Sequence, residues 1–219
     1  MKRNKIVLFF LFLSILSCKK EYDKNFSSSK IIFNDITNLD QYDNLRKVEA
    51  DTLIKIAGSN NKFMIDGYIS KKLNKKTGWW NIQDVNKESN KIKIQYLNFE
   101  NTEKVNQFIF YKNNDIDSTR SKFYVANKSK KNVSYFFCTP KSKETVLSAK
   151  FYYVIMDENN NILKESKIES EKNKNNYLFK LEIPMMKKII IKGLFSEMLK
   201  VEDKSLGTNE IFTEDVIEP

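Results

Sequence analysis

The feature that most constrains the fold is an alternation of apolar and polar residues with a period of two. In KIKIQYLNF (91–99), Ile92, Ile94, Tyr96 and Asn98 fall on one face of an extended chain, and the other face carries Lys91, Lys93, Gln95 and Leu97. The same alternation recurs in NQFIFY (106–111), where the phenylalanines share one side. A segment with this period buries one side only, so the pattern predicts half-buried strands in antiparallel sheets.

Turn-forming residues separate these segments and predict hairpins. Asn113, Asn114 and Asp115 directly follow NQFIFY, and asparagine tolerates the positive φ that tight turns need. Beyond residue 126, polar turns alternate with five further strand candidates. These candidates are NVSYFFCT, VLSAKFYYVIMD, NILKESKIES, YLFKLEI and KIIIKGLFSEML. Strands at this spacing predict an antiparallel β-sandwich-like domain over 126–203, of the immunoglobulin-like or a similar kind.

Two parts of the chain depart from this pattern. Within 31–57, Leu39, Tyr42, Leu45 and Val48 recur at three-residue spacing, which predicts a helix flanked by strands at IIFNDI and TLIKIAG. Residues 204–219 are acidic and lack a clear period. We therefore expect this tail to be ordered only in part.

The N-terminus has the organisation of an exported protein. Basic residues precede a largely apolar run of eleven residues, Ile6 to Leu16, whereas about 20 apolar residues are needed to cross a bilayer. This arrangement predicts a secretory signal peptide over 1–17. Ile15-Leu16-Ser17-Cys18 resembles the lipobox of bacterial lipoproteins, which implies acylation of Cys18 and a polar tether over 18–30. A plain secretory signal or an uncleaved anchor is the alternative.

The residues after Cys18 bear on the destination of the protein. Cys18-Lys19-Lys20-Glu21, followed by Asp23, resembles the start of Bacteroidota lipoproteins, in which acidic residues after a lysine accompany export to the cell surface. The resemblance implies an outer-membrane protein that is held by its N-terminal lipid. It faces either the periplasm or the outside of the cell.

The region 64–125 contains a candidate internal repeat. Trp80, Ile82 and Tyr96 correspond, at an offset of 28 residues, to Phe108, Phe110 and Tyr124. Together with DGY (66–68) and TGWWNI (77–82), this spacing resembles the MORN repeat and related hairpin repeats of bacterial lipoproteins. The resemblance implies a twisted antiparallel sheet of stacked hairpins within 31–125, and no catalysis. The predicted fold class is thus mostly all-β, with a MORN-like hairpin sheet followed by the sandwich-like domain.

Charge and cysteine content limit the partners and the redox chemistry. The net charge is +10, but the excess lysines are scattered and form no block longer than a pair, such as Lys71-Lys72. Nucleic-acid binding is therefore not expected. Besides Cys18, the only cysteine is Cys138, which lies in an apolar strand-like run and is predicted to be a free thiol in the core.

The residue types argue against catalysis. The chain has no histidine, which removes the commonest general base and the commonest zinc ligand. Asp115 and Asp117 flank one residue on an extended segment and are weak candidates for sharing a metal ion. Asp157-x-Asn159-x-Asn161 has the opening spacing of a calcium loop, but isoleucine stands where that loop needs glycine and glutamate. Both clusters fit hairpin turns, so no metal site and no cofactor is predicted.

Trp79-Trp80 is the pair most suggestive of a binding surface. Adjacent strand residues point to opposite faces. Trp80 shares parity with Ile82 and is predicted to be core, which leaves Trp79 on the other face as a candidate ligand contact. The sequence favours a non-enzymatic outer-membrane lipoprotein that acts as a binding or envelope-assembly module for an unidentified protein or glycan. A carbohydrate-binding or glycan-processing surface component is the alternative.

Overall fold

The computed structural model describes residues 29–100, 102–129, 131–170, 176–183, 188–201 and 205–218, and the side chains from residue 33 onward. The predicted signal peptide, Cys18 and nearly all of the tether lie outside the described residues. The chain divides into two compact units, one that ends at Gln41 and one that begins at Tyr42. All the strands that the structure describes belong to the second unit.

The described part of the first unit is helical. Helix α1 spans Ser29–Ile36, and a 3-10 turn spans Leu39–Gln41. The predicted strand at IIFNDI is therefore wrong, and the helix predicted around Leu39 is reduced to a single turn. A short apolar run does not distinguish strand from helix by its period. The Asn38 side chain accepts a hydrogen bond from Asp40 N at 3.1 Å, which stabilises a turn at this point.

The second unit begins with a seven-stranded antiparallel meander, in which each strand pairs with the next along the chain. The strand predicted at TLIKIAG is confirmed as part of β2. The meander consists of β1 (Arg46–Glu49), β2 (Leu53–Ser59), β3 (Phe63–Ser70), β4 (Lys75–Asp84), β5 (Lys91–Phe99), β6 (Thr102–Lys112) and β7 (Asp115–Ile116).

One face of the meander is buried, as the alternation predicted. Trp80 is fully buried, its Nε1 donates to Tyr68 O at 3.2 Å, and its ring meets the Tyr96 ring edge-on at 6.3 Å. Gly67 lies beneath this indole, because a Cβ there would stand 2.2 Å from Trp80 Cδ2. The other buried residues of this face are Ile56, Ile65, Ile82, Ile92, Ile94, Phe108 and Phe110.

Asparagines make the predicted tight turns. Asn113 and Asn114 have φ of 54° and 67° between β6 and β7, and Asn160 has φ of 63° in the turn that follows Asp157. Asparagine adopts this left-handed conformation more readily than other non-glycine residues. The prediction of hairpin turns at these two positions is confirmed.

The remaining seven strands form an antiparallel β-sandwich. Its strands are β8 (Phe123–Lys128), β9 (Asn132–Cys138), β10 (Thr145–Asp157), β11 (Ile162–Ser170), β12 (Asn176–Glu182), β13 (Ile189–Lys200) and β14 (Leu206–Ile217). The three-stranded sheet has the order β12-β9-β8, and the four-stranded sheet has the order β11-β10-β13-β14. All five strand candidates of the sequence are present. In an immunoglobulin constant domain, the fourth strand pairs in the sheet of the first, second and fifth strands. Here the fourth strand, β11, pairs with β10 in the other sheet, and the order of the remaining strands is the same.

The predicted limits of this domain need correction at both ends. β8 starts at Phe123 and pairs with β9, so the sandwich begins before residue 126. The acidic tail is also mispredicted, because Leu206–Ile217 forms β14 and pairs with β13 along its whole length. Ile211, Thr213 and Ile217 of β14 are buried. This strand is a structural part of the sandwich rather than an appendage.

Aromatic rings fill the space between the two sheets. Phe137 of β9 stacks on Phe195 of β13 at 4.5 Å and also contacts Phe151 of β10 at 5.0 Å. Gly193 leaves room for the Phe151 ring, since a Cβ there would lie 2.4 Å from Phe151 Cε2. Cys138 is buried, as predicted, and forms no disulfide within the part of the chain that the structure describes.

Two of the three residue pairs at the 28-residue offset lie within the meander. Trp80 pairs with Ile94, and Ile94 pairs with Phe108, so the 28-residue offset links two positions on the same buried face. Tyr124, the predicted counterpart of Tyr96, lies instead in β8 of the sandwich. β7 has only two residues, because the chain turns at Asp117 and leaves the meander.

Candidate binding cleft

A buried asparagine joins the meander to the sandwich. Asn106 Oδ1 accepts a hydrogen bond from Phe212 N at 2.8 Å, and Asn106 Nδ2 donates to Phe212 O at 2.9 Å. The side-chain amide therefore acts towards β14 as a neighbouring strand would. Asn106 Nδ2 also donates to Gln95 Oε1 at 2.8 Å, and Asn106 is only 4% exposed.

Gln107 extends this polar junction to β8. Its Nε2 donates to Gln95 Oε1 at 2.8 Å, and its Oε1 accepts from Tyr124 N at 2.9 Å. Asn106 and Gln107 are consecutive, yet both are buried. The pairing of β5 with β6 shifts by one residue between Gln95 and Tyr96, and such a bulge redirects side chains from the regular alternation.

Two lysines cover other carbonyls of the β14 edge. Lys122 Nζ donates to Glu210 O at 3.1 Å, and Lys128 Nζ donates to Val216 O. Burial lowers the pKa of Lys122 to about 8, although the Glu210 charge acts in the opposite direction. An edge strand whose polar groups are satisfied in this way offers little to an added strand.

A cleft of about 390 Å³ lies beside this junction. The meander supplies the side of the cleft formed by β5 and β6, and the sandwich supplies the side formed by β8, β13 and β14. Phe99 of the meander and Phe212 of the sandwich contact each other, with their ring centroids 4.6 Å apart. The lining residues are Gln95, Leu97, Asn98, Phe99, Asn106, Tyr124, Lys192, Gly193, Phe212, Thr213 and Glu214.

Two buried polar atoms of the cleft residues have no hydrogen-bond partner among the described residues. These atoms are Asn98 Oδ1 and Thr213 Oγ1. Asn98 is held in place through its other side-chain atom, because Nδ2 donates to Lys76 O at 3.0 Å. Thr213 is 4% exposed. Buried polar groups are normally paired, so these two atoms are exceptions and are candidates for contact with a ligand.

The charges at the cleft neutralise each other. Lys192 Nζ lies 3.2 Å from Glu214 Oε1, and both side chains are at least half exposed. Asp215, the next residue of β14, faces the sandwich interior. Burial raises the pKa of its carboxyl, and this shift is opposed by the Tyr135 hydroxyl and by the charge of Lys128. Burial likewise raises the pKa of Tyr124 to about 12.

A second polar cluster surrounds a buried carboxylate inside the sandwich. Glu197 is 2% exposed and accepts hydrogen bonds from Tyr177 Oη, from Thr139 Oγ1 at 3.2 Å and from Asn209 Nδ2 at 2.6 Å. Burial, reinforced by the Glu197 charge, raises the pKa of the neighbouring Cys138 thiol to about 11. A reactive cysteine needs the opposite shift, so Cys138 is a structural thiol.

Trp79 lies where the sequence predicted, on the face of the meander opposite Trp80. This face, which we call the open face, also presents Tyr68 and Asn81. Trp79 is partly exposed and pairs in register with Gln95, a cleft residue. The structure thus places Trp79 next to the cleft but outside its lining.

The two aspartate candidates have separate structural roles. Asp115 belongs to β7 and pairs in register with Lys112, whereas Asp117 Oδ1 accepts hydrogen bonds from Thr119 N at 3.2 Å and Thr119 Oγ1 at 2.6 Å. Asp157 likewise closes its own turn through Asn161. In the part of the chain that the structure describes, no group of three or more histidine, cysteine or acidic residues could hold a metal ion.

Sequence reasoning missed the cleft. Asn106 and Gln107 interrupt an apolar strand, which is a signal for a buried polar junction. The partner of Asn106 is Phe212, which lies 106 residues away in the chain and cannot be identified from the sequence. In the sequence, Asn98 falls on the apolar face of its strand with Ile92, Ile94 and Tyr96, and Thr213 lies in a segment without a clear period. Neither position identifies a cleft without the three-dimensional packing.

No helix among the described residues is long and apolar enough to span a membrane. Comparison with protein-family models, with curated proteins and with solved structures finds no match to this chain.

Proposed function

We propose that the protein is a non-enzymatic outer-membrane lipoprotein that binds an envelope protein or a glycan. Its lipid is attached at Cys18, and its folded part faces the periplasm or the cell surface. The observation that carries the proposal is the cleft between the meander and the sandwich, with two buried polar atoms that lack partners among the described residues. A concave site with a few convergent polar groups is the usual form of a binding site.

The chemistry of the cleft supports binding rather than catalysis. Thr213 is its buried hydroxyl, and nucleophilic catalysis would need a base in hydrogen-bond contact with that oxygen. Thr213 Oγ1 has no such partner among the described residues. The charge of Lys192 is already compensated by Glu214.

We also propose that the meander is related to MORN-type hairpin repeats. Its consecutive antiparallel strands and the alignment of Trp80 with Phe108 on one face support this relation. In that case, the meander is a scaffold that presents the open face and one wall of the cleft.

The proposal is tested by palmitate labelling of cells that express the native protein, a Cys18→Ser variant or a Cys138→Ser control. We expect label in the native protein and the control, and no label in Cys18→Ser. Protease treatment of intact cells then separates a surface protein, which is degraded, from a periplasmic one, which is protected. Label that persists in Cys18→Ser would refute the anchor, and a hydrolase activity abolished by one point mutation would refute the binding role.

Glycan binding through the open face is a second candidate. The observation in its favour is that this face presents a partly exposed ring, Trp79, and an exposed ring, Tyr68. The amide of Asn81 lies on the same face. Aromatic rings with neighbouring amides suit the apolar and hydroxyl surfaces of sugars. On glycan affinity gels, Trp79→Ala should lose retention, whereas Tyr152→Ala, which removes an exposed ring of the sandwich, should not. Equal retention of both variants and the native protein would exclude this face.

A further inference from the structure

We infer that the cleft binds a neutral, hydroxyl-bearing ligand of the size of one or two sugar rings. This inference rests on the proposed binding function and assigns both the site and the ligand class. It begins with Asn98 Oδ1 and Thr213 Oγ1, which are buried and have no partner among the described residues. Oδ1 can only accept a hydrogen bond, and a threonine hydroxyl can donate one and accept others. Both atoms have almost no accessible surface in this structure, so a ligand hydroxyl bonds to either of them only if the groups that cover them shift on binding.

The charge of the cleft favours a neutral ligand. Lys192 and Glu214 form an ion pair at 3.2 Å, so neither presents an uncompensated charge to the cleft. Gln95, Asn98 and Asn106 contribute uncharged amides. A phosphate or a carboxylate would need a free cation at this point.

The apolar part of the lining suits a sugar ring. Phe99 and Phe212 lie 4.6 Å apart with their planes at 42°, and Leu97 is on the same side of the cleft. The C–H faces of a sugar pack on aromatic rings while its hydroxyls bind polar groups at the edge. The volume, about 390 Å³, lies in the range of small-molecule sites.

The edge of β14 argues against an extended peptide. A peptide that added a strand would need free backbone groups along this edge. Asn106 occupies the amide and carbonyl of Phe212, and Lys122 and Lys128 occupy the carbonyls of Glu210 and Val216. These bonds interrupt the row of backbone groups that an added strand would need, whereas the cleft lies open beside them.

The decisive variant is Thr213→Val, with Thr208→Val as its control. Valine has nearly the shape of threonine and removes only the hydroxyl, and Thr208 is an exposed residue of the same strand. Loss of an unpartnered buried hydroxyl should leave the melting temperature unchanged or higher. Purified Cys18→Ser protein is titrated with maltose, cellobiose and diacetylchitobiose, followed by saturation-transfer NMR and calorimetry.

We expect at least one of these disaccharides to bind, with about tenfold weaker affinity in Thr213→Val. Thr208→Val should bind as the parent protein does. Three results would overturn the inference: no binding of any disaccharide at millimolar concentration, binding that Trp79→Ala abolishes, or binding that a folded Thr213→Val retains in full. The labelling experiment on Cys18 is independent of all three, so the anchored binding role stands or fails separately.

Discussion

At the scale of single residues, the meander depends on a glycine that faces a tryptophan. Trp80 is fully buried, and its indole occupies the space that a side chain at Gly67 would need. The pairing of β3 with β4 is shifted between Asp66 and Tyr68, which brings the Tyr68 carbonyl within reach of Trp80 Nε1. A missing Cβ and one hydrogen bond therefore fix the largest side chain of this core.

Gly67→Ala should destabilise the protein by about 2 kcal/mol or more, because overpacking a tight core displaces rings or backbone. Gly207→Ala is the matched control. The nearest atom to its new Cβ would be Val201 Cγ2 at 3.3 Å, which a small side-chain adjustment relieves. Urea denaturation of both variants measures the difference. Equal stability of Gly67→Ala and the native protein would mean that Trp80 is not held in this position.

The Cys138 thiol should report on global unfolding. Burial raises its pKa from 9.0 to about 11. Above pH 9 the unfolded chain releases this proton while the folded protein keeps it, so the free energy of unfolding should fall between about pH 9 and about pH 11.

The test of this prediction uses Cys18→Ser protein, in which Cys138 is the sole cysteine. Iodoacetamide at pH 8 should leave the folded protein unmodified and should alkylate it rapidly in denaturant. A Cys138→Ala variant should show a shallower loss of stability above pH 9. Fast alkylation of the folded protein would contradict a buried thiol.

At the scale of elements, the edge of β14 is completed by side chains rather than by another strand. Asn106 reproduces the two hydrogen bonds of a strand neighbour, and Lys122 and Lys128 cover two more carbonyls. This arrangement fixes the position of β14 against the meander and so defines the cleft. It also protects an edge that could otherwise pair with a foreign strand.

Asn106→Leu should destabilise the protein by about 3 kcal/mol, because the backbone N–H and C=O of Phe212 lose their partners in a buried place. Asn81→Leu is the control, since it loses one partly buried hydrogen bond, to Asp66 Oδ2 at 2.9 Å. It should cost about 1 kcal/mol or less. Calorimetric melting of the two variants distinguishes them. Similar melting temperatures would mean that Asn106 does not hold β14.

The strands were predictable where their inward rows are apolar. Ile92, Ile94 and Tyr96 of β5 are all buried, and their alternation is plain in the sequence. β14 was missed because its inward row contains Thr213 and Asp215 between two isoleucines, which disguises the period of two. The polar residues that hide the strand are the same ones that line the cleft or lie directly beneath it.

At the scale of the whole molecule, the cleft depends on contacts between distant parts of the chain. Residues 95–106 of the meander meet residues 192–214 of the sandwich, and local patterns carry no information about such a meeting. The sequence therefore predicted the all-β class, most strands and the face of Trp79, but it did not predict the site. The prediction for Cys18 stays a prediction, because it lies outside the described residues.

The last strand, which the sequence presented as a tail, should be essential for the fold. A chain that ends at residue 203 loses the 12 residues of β14, including the buried Ile211 and Ile217, and exposes the edge of β13. We expect it to lose the near-ultraviolet circular dichroism of the packed aromatic core and its cooperative unfolding. A chain that ends at Ile217 is the control. It loses the exposed ion pair between Lys188 and Glu218, which contributes about 1 kcal/mol at most. A cooperative transition in the shorter chain would show that the sandwich folds without β14, and the cleft would then lie beside a dispensable strand.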